Sequence, residues 1–155
     1  EGITKLGVDV SMASLDPTIY ASDRGDDTTM GLGVIFRLER YLSGAFWVSG
    51  RVALLGNLST VGTTWGLFGV LLGAKYGGSS EKNPLYGYLE TGLISMSVSF
   101  DGSEGGEIDE SALGMTAGVG LLMGAADMRV GAWVPSVGKI DTGVGLMLSV
   151  GYNFK

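Results

Sequence analysis

Histidine and cysteine are both absent from the 155 residues. Without cysteine there is no disulfide framework and no thiolate site. Without histidine, the commonest general base and the commonest metal ligand are gone. Only three prolines occur, and charged residues make up 17% of the chain, against roughly 25% in an ordinary soluble domain. No window approaches the roughly 18 consecutive apolar residues of a helical membrane span. The net charge of −6 excludes the clustered Lys and Arg that nucleic acid requires.

What the chain does have is glycine, 28 residues without a Gly-X-Y period, and a positive mean hydropathy of +0.32. The hydrophobicity is spread through short segments in period two. Successive strand side chains point to opposite faces, and eight runs show that alternation. Run one places Leu6, Val8, Val10 and Met12 against Gly7, Asp9 and Ser11. Run two sets Met30, Leu32, Val34, Phe36 and Leu38 against Gly31, Gly33, Ile35 and Arg37, and run three sets Phe46, Val48, Gly50, Val52 and Leu54 against Trp47, Ser49, Arg51 and Ala53.

Run four, 65–76, is apolar on both faces, oriented by Phe68, Val70, Leu72, Ala74 and Tyr76 against Gly69, Gly73 and Lys75. Run five starts near Leu85 and ends with Ile94, Met96, Val98 and Phe100 alternating with serines. Its first half, with Leu89 and Glu90, is out of phase with that ending, so a bulge near Gly92 is expected. Run six alternates from Leu113 to Met123 with glycines and Thr116 opposite. Run seven sets Met128, Val130, Ala132 and Val134 against Arg129, Gly131 and Trp133. Run eight is VGLMLSVGYNF, 144–154, with Val144, Leu146, Leu148, Val150, Tyr152 and Phe154 on one face.

Tight connections at 41–44 and 125–127 alternate with long ones at 13–28, 55–63, 101–112 and 135–142; GGSSEKNP, 77–84, is longer than the pattern wants. Even strand number with short turns on one rim and long loops on the other predicts an all-β, up-and-down antiparallel transmembrane barrel of eight strands, spanning 1–155 as one domain. The alternatives are a soluble sandwich or a lipocalin-like barrel with the oil inside. Charge placement decides for lipid outside. An inward apolar face would leave a water-facing set of Gly, Ser, Thr and Ala, too poorly charged for a soluble surface. An outward one lets the small set fill a narrow interior.

On that second face fall Arg37, Glu39, Arg51, Lys75, Glu90, Arg129 and Asp9, with Lys5 nearby; their mixed signs predict a lumen ion-pair network, since a buried charge persists only when paired. Tyr41, Phe46, Tyr76, Tyr86, Tyr88, Tyr152 and Phe154, with Phe36, fall near the short-turn rim and predict an interfacial aromatic girdle. The long connections carry acid: Asp23, Asp26 and Asp27 in one, and Asp101, Glu104, Glu107, Asp109 and Glu110 in another, read as solvated charge and not as a metal site, because the EF-hand spacing is missing.

The pattern resembles the small eight-stranded outer-membrane barrels of Gram-negative bacteria, of the outer membrane protein A and outer membrane protein X kind. Its most specific element is SVGYNF, 149–154, similar to the terminal strand by which such proteins are recognised by the barrel assembly machinery; Lys155 follows the aromatic on which that strand usually ends. The resemblance implies bacterial outer-membrane localisation, contact with outer-membrane lipids and lipopolysaccharide, and a structural, adhesion or resistance role exerted through loops, with a surface receptor or a larger complex as partner. The start at Glu1, without a basic apolar leader, fits a mature exported chain.

No chemistry is expected. A histidine-serine pair cannot be built; GVLLGAK, 69–75, lacks the spacing and hydroxyl of a phosphate loop; and Glu39 facing Glu90 reads as ion pairing with arginines in preference to an acid pair. No catalytic residue, cofactor or metal is therefore assigned. The rival function is a narrow pore or lateral-opening channel for small or hydrophobic solutes, favoured by inner-face glycine and opposed by Trp47, Trp133 and the charged set.

Overall fold

The computed structural model describes residues 3–15, 29–57, 63–78, 83–100, 107–135 and 144–154. Their strands are β1 (Thr4–Leu15), β2 (Thr29–Ser43), β3 (Phe46–Asn57), β4 (Thr63–Gly77), β5 (Leu85–Phe100), β6 (Glu107–Met123), β7 (Ala126–Val134) and β8 (Gly145–Phe154). Each pairs antiparallel with the next and β8 pairs back onto β1, so the sheet closes into an eight-stranded barrel and leaves no edge along the closed part of the wall.

Two of the three connections on one rim are two-residue turns. Gly44 and Gly124 have φ of +63° at the first turn position, and no non-glycine residue has positive φ among the described residues, the pattern of a type II′ hairpin. A Cβ at either glycine would meet nothing within 4 Å, so their role is purely conformational. Gly124→Val is accordingly expected to cost about 1–2 kcal/mol through backbone strain alone, read as a shifted denaturation midpoint with unchanged spectra. A bulge between Tyr41 and Ser43 sits beside the first turn.

The orientation of the faces follows from exposure. Leu146, Leu148 and Val150 are 67%, 50% and 51% exposed, whereas Met147 and Ser149 between them are buried. The same sign holds around the barrel: Leu38, Leu54, Leu72, Leu89, Val119 and Val130 face out, and Arg37, Ala53, Leu71, Glu90, Gly120 and Arg129 face in.

Run five departs from its expected reading. The register of β5 is continuous against both β4 and β6, with no bulge at Gly92. Its phase never breaks: Tyr86, Tyr88, Glu90, Ile94, Met96 and Val98 all point inward, and Ser95 points outward, where its Oγ lies 3.0 Å from that of Ser111. Alternation reports the period of a strand but not which side is apolar. Here the sign inverts because the upper interior is itself hydrophobic, while the serines stand above the outer apolar band.

The strands also run further towards the long-loop rim than expected. Glu107, Asp109 and Glu110 belong to β6 and not to a loop, with Asp109 paired to Ser97 and exposed on the outer face. A paired hairpin that rises above the apolar band meets water on its outer face, so polar residues there are compatible with a strand. Asp23, Asp26, Asp27, Asp101 and Glu104 lie outside the described residues.

Candidate functional site: the lumen

The inward face is divided into two layers by residue type. In the half next to the short turns, alternate positions bring four carboxylates, Asp9, Glu39, Glu90 and Asp127, against four cations, Arg37, Arg51, Lys75 and Arg129. Arg37 grips Asp9 in a two-pronged pair at 2.6 and 2.8 Å, and its Nη1 reaches Asp127 at 3.1 Å and Glu39 at 3.2 Å. Glu39 also accepts from Lys75 at 2.5 Å and from Arg129, while Arg129 continues to Asp127 at 3.2 Å and to Glu90 at 3.8 Å. Arg51 closes the chain of contacts on Glu90 at 2.6 Å. All eight residues are 1–3% exposed. Equal numbers of each sign make the cluster neutral as a whole, the condition under which so many charges can be buried together.

Neutral donors complete it. Ser49 and Thr116 donate to Glu90 at 2.9 and 3.1 Å, and Tyr86 donates to Asp127. Arg51 Nε and Nη2, and Arg129 Nε and Nη1, have no hydrogen-bond partner in the protein, so the charges are balanced more fully than the hydrogen bonds.

Glu39 and Glu90 do not touch; Arg129 stands between them. Asp127, which joins Arg37 to Arg129, escaped sequence analysis because it was counted as turn. The missed signal is simple: it lies two residues before Arg129, in the same phase as Arg129 and Trp133.

Three of the aromatics expected in the girdle belong to the lumen instead. Tyr86 and Tyr88 are 3% and 7% exposed, and Tyr41 is half-buried in the inward phase of β2. Tyr86 and Tyr88 share the face of Glu90 because they share its parity. Lys75 Nζ lies 4.6 Å from the Tyr86 ring centre, and the Arg129 guanidinium lies 5.3 and 5.4 Å from those of Tyr86 and Tyr88, so the rings line the cations with their negative faces. Trp47 is likewise flanked by Lys5 at 4.6 Å and Lys75 at 5.0 Å, with Tyr41 edge-on at 5.3 Å. Phe46, Tyr76, Tyr152 and Phe154, with Phe36, do face outward.

Towards the long-loop rim the interior changes to hydrocarbon. Ile35, Leu55, Trp65, Leu67, Leu71, Ile94, Met96, Val98, Trp133 and Met147 form one buried cluster. An interior filled only by glycine, serine and ion pairs, as the composition suggests, is thus half the account. The glycines explain how both layers fit. A Cβ on Gly31 would strike the Trp65 ring, one on Gly120 the Tyr86 ring, one on Gly145 the Trp133 indole, and one on Gly7 the Arg37 guanidinium. Tyr86, Trp133 and Arg37 thus lie over empty places on a neighbouring strand, and Trp65 reaches across β3 to one on β2.

This arrangement contains carboxylates held by cations; the hydroxyls of Ser49 and Thr116 meet Glu90, a carboxylate that Arg51 already holds, and among the described residues no group of three or more acidic side chains is arranged to hold a metal ion. Its geometry is that of a filled interior.

Similarity to solved structures bears on the whole barrel. The attachment invasion locus protein Ail of Yersinia pestis superposes with a TM-score of 0.70 at 16% identity, covering 99% of each chain. The chain has the fold of the small outer-membrane barrels. Neisserial surface protein A shares this fold at a TM-score of 0.62 and 17% identity over 100% of this chain and 99% of its own, and the N-terminal β-barrel domain of Pseudomonas aeruginosa OprF at 0.65 and 14% over 99% and 100%. Ail has also been solved with the heparin analogue sucrose octasulfate. No family model and no curated protein sequence matches.

Proposed function

We propose that the protein is a non-enzymatic barrel of the bacterial outer membrane whose interior is sealed and whose loops carry a structural, adhesion or resistance role. The observation that carries this reading is the stacking of two different fillings across one lumen: a neutral ion cluster below and a hydrophobic layer above. A water path would have to pass both. The outer wall supports the location. From Val144 to Phe154 the outward face of β8 is apolar; about ten residue steps of about 3.4 Å at a tilt near 40° rise about 26 Å, the height of a barrel's apolar band.

Insertion through the barrel assembly machinery and contact with lipopolysaccharide follow from that location. The fold is shared with an attachment protein, but the loop chemistry is this chain's own. Segment 101–110, the connection together with the first residues of β6, holds five acids and no base, within a chain of net charge −6. A polyanion such as the heparin analogue seen with Ail is therefore a poor electrostatic match, and a basic partner surface a good one.

Single-channel recording in planar bilayers tests the sealed lumen. The expected record shows no steady openings for the wild type. Steady openings that vanish when Arg51 or Glu90 is replaced would instead establish the pore reading. A monodisperse protein in buffer without detergent would remove the membrane location altogether.

A further inference from the structure

Most inward glycines are explained by what lies against them, but the outward Gly50, Gly56, Gly66 and Gly87 are not, and two of these face each other. Gly56 on β3 and Gly66 on β4 are direct cross-strand partners on the outer wall. Neither has positive φ. A Cβ on Gly56 would meet its nearest atom, the Trp65 carbonyl oxygen, at 3.4 Å, and one on Gly66 the Leu55 carbonyl oxygen at 4.0 Å, both ordinary contacts. The chain's own packing and backbone would accept a side chain at either position. Instead the pair forms the floor of an open groove of about 520 Å³, within the size range of sites that take small ligands.

The groove has one apolar flank and one polar flank. Leu32 lies beside Gly56 in the same cross-strand row, and Leu54 and Phe68 form the next row towards the middle of the wall. On the other side Ser97 is paired with Gly66, and Ser95 with Phe68. The groove therefore sits where the outward apolar band gives way to hydroxyls, on the long-loop side of the barrel.

We infer that this groove seats one acyl chain of lipopolysaccharide, with Ser95 and Ser97 meeting the hydroxyl and amide groups at the head of that chain. The inference rests on the outer-membrane reading above, which places the long-loop rim in the lipopolysaccharide leaflet. Its apolar flank is continuous with the lipid-facing wall, so hydrocarbon reaches it without leaving the bilayer. The polar flank offers neutral hydroxyls, and the next residue in that row, Asp109 on β6, is acidic and exposed. That charge disfavours a bare phosphate and favours the uncharged linkage of a hydroxyacyl chain. A glycine floor lets the chain lie against backbone, where any larger residue would hold it off.

The test compares lipid retention by wild type, Gly66→Leu, Gly56→Leu and Gly87→Leu. Gly87 is an exposed outward glycine of β5 whose Cβ would meet its nearest atom at 3.9 Å, so leucine there adds bulk to the wall away from the groove. Each protein is refolded into nanodiscs of lipopolysaccharide and phosphatidylethanolamine, and retained lipid is counted by native mass spectrometry. Wild type and Gly87→Leu should retain lipopolysaccharide, and the two groove variants should lose about fivefold or more, the equivalent of one or two buried methylenes. Equal retention by all four, preferential retention of phosphatidylethanolamine, or no retained lipid overturns the assignment. Heat-modifiable gel migration is read on the same samples. If wild type fails to insert, the membrane reading falls; if it inserts but retention ignores the groove, only this inference does. Should leucine impair folding, Gly56→Ala and Gly66→Ala add a methyl where the backbone has room for one and must show the same direction.

Discussion

Glu39→Gln is expected to destabilise the barrel by about 3–5 kcal/mol, the usual cost of removing one partner from a buried ionic cluster. Glu39 touches Arg37, Lys75 and Arg129, so no other single change strands three cations at once. The cluster passes from four charges of each sign to a surplus of one positive charge inside a wall that admits little water. Urea unfolding in lipid vesicles, followed by tryptophan fluorescence, measures the loss. Adding Lys75→Met restores neutrality and should return a measurable part of it; a double-mutant cycle isolates that coupling. A shift for Glu39→Gln within about 0.5 kcal/mol of wild type, the range of an ordinary surface change, would mean that the charges are solvated and the lumen is not sealed.

The second large effect concerns the outer wall. Leu148→Arg lies near the middle of the apolar stretch of β8, and a cation facing lipid at that depth costs about 2–4 kcal/mol, falling to about 0–1 kcal/mol near either interface. Phe154→Arg, at the turn-side end of the same face, should therefore cost far less than Leu148→Arg in the same vesicles. This gradient with depth is specific to lipid. If water covered the wall, arginine would be tolerated at both positions and the two variants would unfold alike.

The strand count, topology and face orientation were legible because a closed sheet forces period two on every segment, and seven of the eight runs carry hydrocarbon on their outward parity. Run eight divides its faces most plainly, for nothing large but Met147 stands opposite the apolar set, and the charges and small residues of the second face supply the sign. Run five defeated the same reasoning. Its first half has apolar residues facing lipid and its second half has them facing an apolar interior, so the letters mimic a slipped register where none exists. The ion cluster was legible as a set of charges on inward parity, but its connectivity was not: which arginine meets which carboxylate depends on strand neighbours that are distant in sequence, such as Arg129 and Glu39. Tyr86 and Tyr88 were misplaced because an aromatic near a rim was read by height and not by parity. Asp127 was lost to a turn drawn one residue too long.

The pairing of bulky inward groups with glycines on other strands has a consequence for descent. Growth at Gly120 is blocked while Tyr86 remains, and growth at Gly31 while Trp65 remains, so such positions are free to drift only in couples. Inheritance would then preserve a relief of protrusions and hollows and leave the alphabet that writes it unconstrained. Chains with 14–17% of their residues in common can share one architecture on those terms.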